Sequence, residues 1–316
     1  MIRTAIIGYG TWATRHHAPM LKAMKGFEVV AACDLSAKRH EAAREAHGIP
    51  VWETVTGLLA TLSFDLAVVC APPISHCDLT RELLRAGKHV LVEKPMAMFA
   101  KDCELMIAEA RDADRVLAVY HQRRFDGDFR QALWAADFIR PLWHAEFVYH
   151  GWSDAAAHYG VEPWRAREPS SGGLLFDMGI HRVDQALALT GMTPKTVFGN
   201  VAARRFTAID HYSLLIAGDD EAPTVQVAGS ACARRGNGGI YLFGENGAYV
   251  DGILYAEGAE QSPPAYEPRP WSIYEEVRGA IETGAPLTVT PEDAMRAVAV
   301  CDAARESSRT GRAVSL

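Results

Sequence analysis

The stretch RTAIIGYGTWA at residues 3–13 joins an apolar run to two glycines and an alanine, in the order G-x-G-x-x-A. The apolar run predicts a buried strand, and the residues after Ala13 predict a helix. In such a turn Gly8 permits the sharp change of direction, and Gly10 lets a pyrophosphate approach the backbone. Ala13 keeps the helix close to the strand, and the helix N-terminus supplies N–H donors. The residues expected to contact a dinucleotide in this turn are Gly8, Gly10, Thr11 and Trp12.

The first 120 residues repeat this strand-to-helix alternation. Helical patterns separate apolar runs at 3–8, 27–33, 65–71, 89–93 and 116–120. Continuous apolar runs separated by helices are typical of a parallel sheet that is covered on both faces. We therefore predict an α/β fold whose first domain, residues 1–120, is a doubly wound Rossmann sheet that binds a dinucleotide.

After residue 120 the pattern changes. A helix at about 127–137 and a strand at about 141–150 precede strand-like runs between about 195 and 252, with turn signals and no helices between them. Residues 258–270 are rich in proline and predict a loop, and two helices follow. Consecutive strands joined by turns are typical of an antiparallel sheet. We therefore predict a second α+β domain, residues 121–316, with a mostly antiparallel, open-faced sheet.

Charge and composition restrict the partners and the compartment. The formal net charge is -7 and the basic residues are scattered, which argues against nucleic acid or a membrane surface as partner. The 6 cysteines include no C-x-x-C pair, and no apolar run approaches the roughly 20 residues of a membrane-spanning helix. A strand begins almost at residue 1, which leaves no room for a signal peptide. We expect a cytoplasmic protein with a small polar ligand.

Asp34 stands at the end of the second apolar run. A carboxylate in this place accepts hydrogen bonds from an adenosine ribose, which favours NAD over NADP. Lys38 and Arg39 follow closely, and they either face a 2′-phosphate or are solvated helix residues. NAD is thus the favoured cofactor and NADP the alternative, with Asp34 and Arg39 as candidate cofactor-binding residues.

Other candidate residues follow later strands of the first domain. Ligands of open parallel sheets bind beyond the carboxyl ends of the strands. Glu93 and Lys94 stand at the end of the apolar run 89–93 and are therefore expected near the nicotinamide half of the cofactor, with Pro95 fixing the direction of the lysine. After the run at 65–71, Ala71, Pro72 and His76 are further candidates for the cofactor site, although His76 is equally suited to starting a helix.

The stretch GGLLFDMGIHRVD at residues 172–184 places Asp177 and His181 four residues apart, and Asp184 three further on. If the stretch is an α-helix, these side chains share one face. They are then metal ligands, structural polar residues, or an acid/base pair. Nothing else in the sequence demands a metal, so we predict none. We favour a structural role for Asp184 and a chemical one for Asp177 and His181.

The glycine turn, the Glu-Lys-Pro at 93–95 and the Asp-x-Gly-x-His at 177–181, in this order, resemble the glucose-fructose oxidoreductase / inositol dehydrogenase / rhizopine catabolism family. The resemblance covers essentially the whole chain. Residues 14–21, 120–129 and the pair Trp164-Arg165 look like a branch that includes NADP-dependent scyllo-inositol dehydrogenases. The chain departs from that branch at Asp34, where a small or hydroxyl residue is usual, and it is shorter between about 252 and 272.

The resemblance implies an NAD(P)-dependent enzyme that transfers a hydride between its cofactor and a secondary hydroxyl of a sugar or cyclitol. By resemblance, His181 takes or relays the hydroxyl proton, and Asp177 orients the ring or binds a neighbouring hydroxyl. Lys94 holds the reacting oxygen and stabilises its negative charge. Arg124 is a candidate for the substrate, and Trp164 and Arg165 for the nicotinamide or the substrate rim; a packed Trp with a surface Arg is the alternative.

Two other functions remain open at this point. Some relatives cleave glycosidic bonds with a transient oxidation by tightly held NAD, and one regulator of this fold senses ligands without turnover. The resemblance also implies a homodimer or homotetramer, in which the open face of the second sheet packs against another subunit.

Overall fold

Six parallel strands form the first sheet of the computed structural model, which describes residues 1–151, 172–204, 209–234, 236 and 238–316. They are β1 (Ile2–Ile7), β2 (Phe27–Cys33), β3 (Val51–Trp52), β4 (Leu66–Val69), β5 (His89–Glu93) and β6 (Leu117–Tyr120). Their order is β3-β2-β1-β4-β5-β6, and each neighbouring pair is parallel. This order reverses between β1 and β4, as in nucleotide-binding sheets. The prediction of a Rossmann sheet is confirmed.

Helices connect these strands, as the alternating pattern predicts. They are α1 (Ala18–Ala23), α2 (Ala37–His47), α3 (Val55–Thr61), α4 (His76–Arg85) and α5 (Ala100–Asp112). A π-helical turn at Ala13–His17 leads directly into α1. The four residues of β4 and of β6 are all buried, which explains their unbroken apolar sequence. Strand β3 has two residues, too few to form an apolar run, and the sequence did not reveal it.

The second sheet is mixed but mostly antiparallel, as predicted. Its strands are β7 (Leu142–His150), β8 (Thr196–Ala202), β9 (His211–Ala217), β10 (Thr224–Ser230), β11 (Gly238–Gly244), β12 (Gly247–Val250), β13 (Ile253–Ala256), β14 (Ala259–Gln261) and β15 (Val314–Ser315). Their order is β14-β13-β12-β11-β7-β10-β9-β8-β15. Among the described strands of this second sheet, only β7 and β10 pair in parallel. The predicted loop at 258–270 is partly wrong, because β14 extends the sheet beside β13.

Four further helices complete the described part of the chain: α6 (Gly127–Ile139), α7 (Ile180–Thr190), α8 (Ser272–Thr283) and α9 (Pro291–Thr310). Helix α7 contacts β7 and β10, and its residues 180–187 are all buried. On β9 the side chains of Tyr212, Leu214 and Ile216 are buried, whereas Leu215 between them is 46% exposed. The sheet therefore has one packed face and one open face.

The chain divides into two compact units. The first comprises residues 1–97, 101–120 and 271–292, and the second comprises residues 98–100, 121–270 and 293–316. Helix α8 thus belongs to the first unit, although the sequence analysis included it in the second domain. Tyr274 on this helix is fully buried and lies against His17, 257 positions earlier.

Candidate active site

The glycine turn after β1 is a tight backbone cradle. Gly8 has φ +87°, and a Cβ there would lie 2.6 Å from the backbone nitrogen of Ala71. The Gly8 N–H donates to the carbonyl of Cys33 at 2.7 Å, so the ends of β1, β2 and β4 meet at this residue. Ala13 is fully buried where the helix begins. Only glycine fits at position 8, because the backbone after β4 occupies the place of a side chain, and this is the tight turn that a dinucleotide-binding strand-to-helix junction requires.

Asp34 directly follows β2 and faces the glycine turn. Its Oδ2 accepts hydrogen bonds from the Tyr9 N–H at 2.7 Å and from Arg39 Nη1 at 3.1 Å, and its Oδ1 accepts from the Ser36 N–H at 2.9 Å. The residue is 8% exposed. Its orientation is therefore fixed before any ligand binds, and Arg39 is turned toward the carboxylate rather than toward solvent alone.

Trp12 in the glycine turn is 37% exposed. Its ring lies against that of His16, with centroids 3.9 Å apart. The indole thus leaves part of its surface open beside the turn that the sequence assigns to the dinucleotide.

His76 joins the segment after β4 to the segment after β5. The imidazole is fully buried, with Nδ1 2.9 Å from the carbonyl of Pro95 and Nε2 2.8 Å from the carbonyl of Ala71. Burial lowers the pKa of His76, and the two carbonyl contacts oppose that effect. Pro72 lies between Ala71 and the short 3₁₀ turn at Pro73–Ser75. Through its two ring nitrogens, His76 connects Ala71, in the segment proposed to bind the cofactor, with Pro95, the residue after Lys94.

Lys94 stands directly beyond the carboxyl end of β5, and its bond to Pro95 is cis. Its N–H lies 3.0 Å from Oε2 of Glu93, and Oε1 of Glu93 lies 2.8 Å from Nε2 of His17. Burial alone raises the pKa of Glu93, but the hydrogen bond and charge of His17, together with the charges of Lys94 and His76, outweigh it and hold that pKa below its usual value. Glu93 is thus a buried carboxylate that connects the lysine main chain to the interior of the first unit.

The segment that carries Asp177 differs from the expected continuous α-helix. Residues Leu175–Gly179 form a π-helical turn, and α7 begins at Ile180. Gly173 has φ +61°, and a Cβ there would lie 2.4 Å from the carbonyl oxygen of Ile209, so that a larger residue does not fit. A π turn contains about one residue more than an α turn. The spacing of four residues therefore does not place Asp177 and His181 on one face here as it would in a regular α-helix. Asp177 is half-buried, and His181 is 2% exposed.

A buried polar cluster surrounds His181 in the second unit. Arg124 donates from Nε and Nη2 to the two carboxylate oxygens of Asp184, at 2.7 and 2.8 Å. Burial lowers the pKa of Arg124, but the pair with Asp184 outweighs it and raises that pKa overall. Asp184 thus pairs with a neighbouring turn, as its expected structural role implies. Arg124, which the sequence analysis assigned to the substrate, is at least in part a partner of this carboxylate.

His121 is a member of this cluster that the sequence analysis did not single out. It is fully buried, its Nδ1 lies 3.7 Å from Asp184, and its ring meets that of His181 edge-on with centroids 5.7 Å apart. The available signal was position, because His121 directly follows β6 at the carboxyl end of the first sheet. His17 and Tyr274, both fully buried, were likewise not assigned to the site.

Trp164 and Arg165 lie outside the described residues. Among the residues that are described, no group of three or more His, Cys, Asp or Glu is arranged to hold a metal. No helix in that part of the chain is long and apolar enough to span a membrane.

Comparison with known families identifies this combination of a cofactor cradle and a mixed sheet. Residues 2–121 match the "Oxidoreductase family, NAD-binding Rossmann fold", and residues 132–250 match the "GFO/IDH/MocA C-terminal domain". The chain belongs to the GFO/IDH/MocA oxidoreductase family. The resemblance stated from the sequence is confirmed. The chain is an oxidoreductase with an NAD-binding Rossmann domain.

Several family members are similar over most or part of this chain. One is the scyllo-inositol 2-dehydrogenase (NADP(+)) IolW of Bacillus subtilis, 25% identical, with 100% of this chain and 96% of IolW covered. Another is the D-glucoside 3-dehydrogenase of Escherichia coli, 32% identical over 60% of this chain and 54% of that protein.

A solved structure extends the comparison to the whole fold. An oxidoreductase of Agrobacterium radiobacter in complex with NAD+, L-tartaric acid and magnesium matches with a TM-score of 0.87 and 21% identity, covering 99% of this chain and 98% of that one. At this identity the match shows the fold alone.

Proposed function

We propose that this GFO/IDH/MocA protein oxidises a secondary hydroxyl of a sugar or cyclitol, or reduces the corresponding ketone, with Lys94, Asp177 and His181 as catalytic residues. The observation that carries the proposal is the placement of Lys94 directly beyond β5. In the same sheet, β5 neighbours β4, which neighbours β1 and its glycine turn. Lys94 and the cofactor cradle therefore share the carboxyl edge of one parallel sheet, where ligands of such sheets bind.

The roles follow from the chemistry of alcohol oxidation. A bound NAD(P) supplies the hydride acceptor for the carbinol carbon. The ammonium of Lys94 holds the substrate oxygen and stabilises its developing negative charge. His181 takes the hydroxyl proton, because an imidazole exchanges protons near neutral pH. Asp177 orients the imidazole or binds a neighbouring hydroxyl, which suits a polyol.

Several further residues are proposed to hold the ligands. Gly8, Gly10, Thr11 and Trp12 would cradle the dinucleotide, with Ala71, Pro72 and Glu93 lining it. Trp164 and Arg165 would contact the nicotinamide. Arg124 would reach the substrate with the donors that its pair with Asp184 leaves, since a guanidinium carries five N–H groups.

NAD is the proposed preferred cofactor. Tyr9 and Ser36 hold the Asp34 carboxylate through their backbone N–H groups, so it is oriented to accept hydrogen bonds from a ribose. A 2′-phosphate at the same place would meet that negative charge, which disfavours NADP. Arg39 is paired with Asp34 and offsets part of the repulsion.

The open face of the second sheet is proposed to pack against a second copy of the chain. Large apolar side chains remain exposed on this face: Phe198 (48%), Leu215 (46%), Tyr255 (41%) and Phe243 (37%). Phe198 and Leu215 are cross-strand partners. Exposed large apolar side chains on one sheet face favour an interface there. Residues 121–316 would thus supply both substrate binding and a homodimer or homotetramer contact.

Light scattering tests the oligomer, with Leu215→Glu as the disrupting variant. The variant is expected to be a monomer, and Lys195→Glu, an exposed charge reversal, to assemble as the wild type does. A monomeric wild type at working concentration would contradict the proposal. We also propose a cytoplasmic location, because the 6 cysteines are spread along the sequence without a C-x-x-C pair, which suits a reducing compartment.

The activity is tested by absorbance of the reduced cofactor. Purified protein is mixed with NAD or NADP and a panel of inositols, aldoses and anhydrosugars. We expect reduction of NAD with at least one polyol. If the protein binds the cofactor tightly but no member of the panel reduces that cofactor, the result would contradict the proposal. It would favour a sensor or a hydrolase.

A further inference from the structure

A chain of buried side chains runs from α8 to the candidate catalytic lysine within the first unit. The hydroxyl of Tyr274 is hydrogen-bonded with Nδ1 of His17. Nε2 of His17 lies 2.8 Å from Oε1 of Glu93, and Oε2 of Glu93 lies 3.0 Å from the N–H of Lys94. Tyr274 and His17 are 0% exposed and Glu93 is 8% exposed. The two contacts of His17 are buried, and the contact between Glu93 and Lys94 is partly buried.

The contacts admit one consistent set of donors and acceptors. Burial raises the pKa of Tyr274 well above its usual value, so its hydroxyl keeps its proton and can donate to Nδ1 of His17. With Nδ1 as the acceptor, the N–H of the imidazole is on Nε2 and donates to Glu93. The Glu93 carboxylate accepts this bond and that of the Lys94 N–H. This set uses both ring nitrogens of His17 and both carboxylate oxygens of Glu93.

The sequence elements that build this arrangement are unusual in two ways. His17 is the last residue of the π-helical turn Ala13–His17, a rare local structure that recurs at functional sites. Tyr274 comes from α8, which is remote in sequence but belongs to the first unit. The ring of Tyr120 packs edge-on against His17, with centroids 4.7 Å apart, and closes the cluster.

We propose that His17 and Tyr274 are positioning residues for Lys94. They fix the Glu93 carboxylate, which in turn fixes the main chain of Lys94 at the end of β5 and so directs its ammonium group. The inference rests on the proposed function, in which that ammonium holds the substrate oxygen. Neither residue touches the reacting atoms in this proposal. Their effect on the reaction is indirect, through the orientation of the lysine.

The alternative is that the cluster only stabilises the core. Tyr120 provides a matched control, because its hydroxyl is also buried but is directed at the sulfur of Met20, 3.8 Å away, and not at His17. Tyr274→Phe and Tyr120→Phe each delete one hydroxyl from the same cluster. Only Tyr274→Phe removes the hydroxyl that contacts Nδ1 of His17. A purely structural role predicts similar consequences for the two variants.

The first readout does not require turnover. In protein labelled with ¹⁵N-histidine, His17 is expected to show the tautomer with hydrogen on Nε2, and its signal is assigned by its loss in His17→Gln. In protein labelled with ¹⁵N-lysine, hydrogen exchange of the Lys94 amide is expected to be at least about fivefold faster in Tyr274→Phe, because a supporting buried hydrogen bond is lost. Tyr120→Phe is expected to leave the exchange within about twofold of the wild type.

The second readout is steady-state kinetics with the best polyol. Tyr274→Phe is expected to lower kcat about tenfold, with KM for both ligands within about twofold, because misplacement of a catalytic group affects the transition state more than ground-state binding. His17→Leu is expected to lower kcat further. His17→Gln is expected to retain a higher kcat than His17→Leu, since an amide can both donate to Glu93 and accept from Tyr274.

The outcomes separate this inference from the proposed function. If Tyr274→Phe matches Tyr120→Phe in Lys94 amide exchange, or if exchange accelerates while kcat is unchanged, the positioning role is overturned. If the wild-type protein oxidises no polyol, the proposed function fails, whereas the amide exchange still decides whether His17 and Tyr274 hold Lys94. Should His17→Leu fail to fold, Tyr274→Phe and His17→Gln provide the decision.

Discussion

Arg124 and Asp184 form a two-pronged ion pair, with Nε–Oδ2 and Nη2–Oδ1 distances of 2.7 and 2.8 Å, one turn of α7 away from His181. The Asp184 side chain is 2% exposed and that of Arg124 9% exposed. His121 lies between this pair and His181, with its ring edge-on to the second imidazole. The pair therefore supports both the fold of the second unit and the orientation of the candidate base.

Asp184→Asn is expected to destabilise the protein strongly, because it leaves the buried guanidinium of Arg124 without its counter-charge. Removing one partner of a buried pair costs about 3–5 kcal/mol in the free energy of unfolding. Urea denaturation measures the change. Glu306→Gln, which breaks an exposed pair with Arg309, is the control and is expected to leave the midpoint nearly unchanged. Equal effects of the two substitutions would show that the buried pair is not stabilising.

Lys94→Ala is expected to lower kcat by about 10²–10³-fold, the usual cost of removing one group that stabilises a developing oxyanion. Cofactor affinity, measured by fluorescence titration, is expected to change little, since Glu93 and the glycine turn are retained. Lys101→Ala on the exposed side of α5 serves as the control with unchanged kcat. Full activity of Lys94→Ala, with folding intact, would disprove the assigned role of the lysine.

His76 is expected to make the folded state sensitive to acid. Burial lowers its pKa below the ordinary value of 6.5, although the carbonyls of Pro95 and Ala71 oppose the shift. The unfolded chain therefore binds a proton at a higher pH than the folded chain does. Stability falls as the pH falls below 6.5 toward the folded pKa, by up to about 1.4 kcal/mol per pH unit for one group.

The measurement is the thermal midpoint between neutral and mildly acid pH. His76→Gln is expected to have a lower midpoint at neutral pH, since a buried link is altered, but a weaker dependence on pH than the wild type. His144→Gln, on a half-buried position of β7, is the control for histidine replacement in general. An unchanged pH dependence in His76→Gln would assign the acid sensitivity to other groups.

Asp34→Ser is expected to shift the cofactor preference from NAD toward NADP by at least about tenfold in kcat/KM, because it removes a negative charge from the 2′-phosphate position and frees Arg39. The double variant Asp34→Ser, Arg39→Ala is expected to lose most of that gain. The ratio of kcat/KM values for the two cofactors measures the effect. A ratio that is the same in the wild type and in Asp34→Ser would mean that Asp34 does not select the cofactor.

The sequence predicts the first sheet well because its strands are buried on both faces and its first turn demands glycine. Strands β3, β14 and β15 escape prediction because two or three residues carry no periodicity, and their pairing comes from neighbours distant in sequence. The π-helical turn at Leu175–Gly179 also escapes, since a spacing of four residues between Asp177 and His181 indicates an ordinary helix.

The supporting residues of the site are harder to predict than the candidate catalytic ones. Lys94 and Asp34 stand at strand ends, where the sequence shows them directly. The contact of His17 with Tyr274 spans 257 positions, and His121 meets His181 across the second unit, so no local pattern connects either pair. Such contacts depend on tertiary packing, which a single sequence does not display.

The most direct test of the account is transfer of deuterium from substrate to cofactor. The polyol that supports reduction of NAD is prepared with deuterium on the carbon that becomes oxidised. The reduced cofactor is then isolated, and its mass is measured by mass spectrometry. We expect one deuterium in the reduced nicotinamide that the wild-type protein forms. In a Lys94→Ala reaction run for the same time, we expect no deuterated reduced cofactor. A product that forms while the cofactor pool stays oxidised, or reduced cofactor without deuterium, would contradict direct hydride transfer from the secondary alcohol.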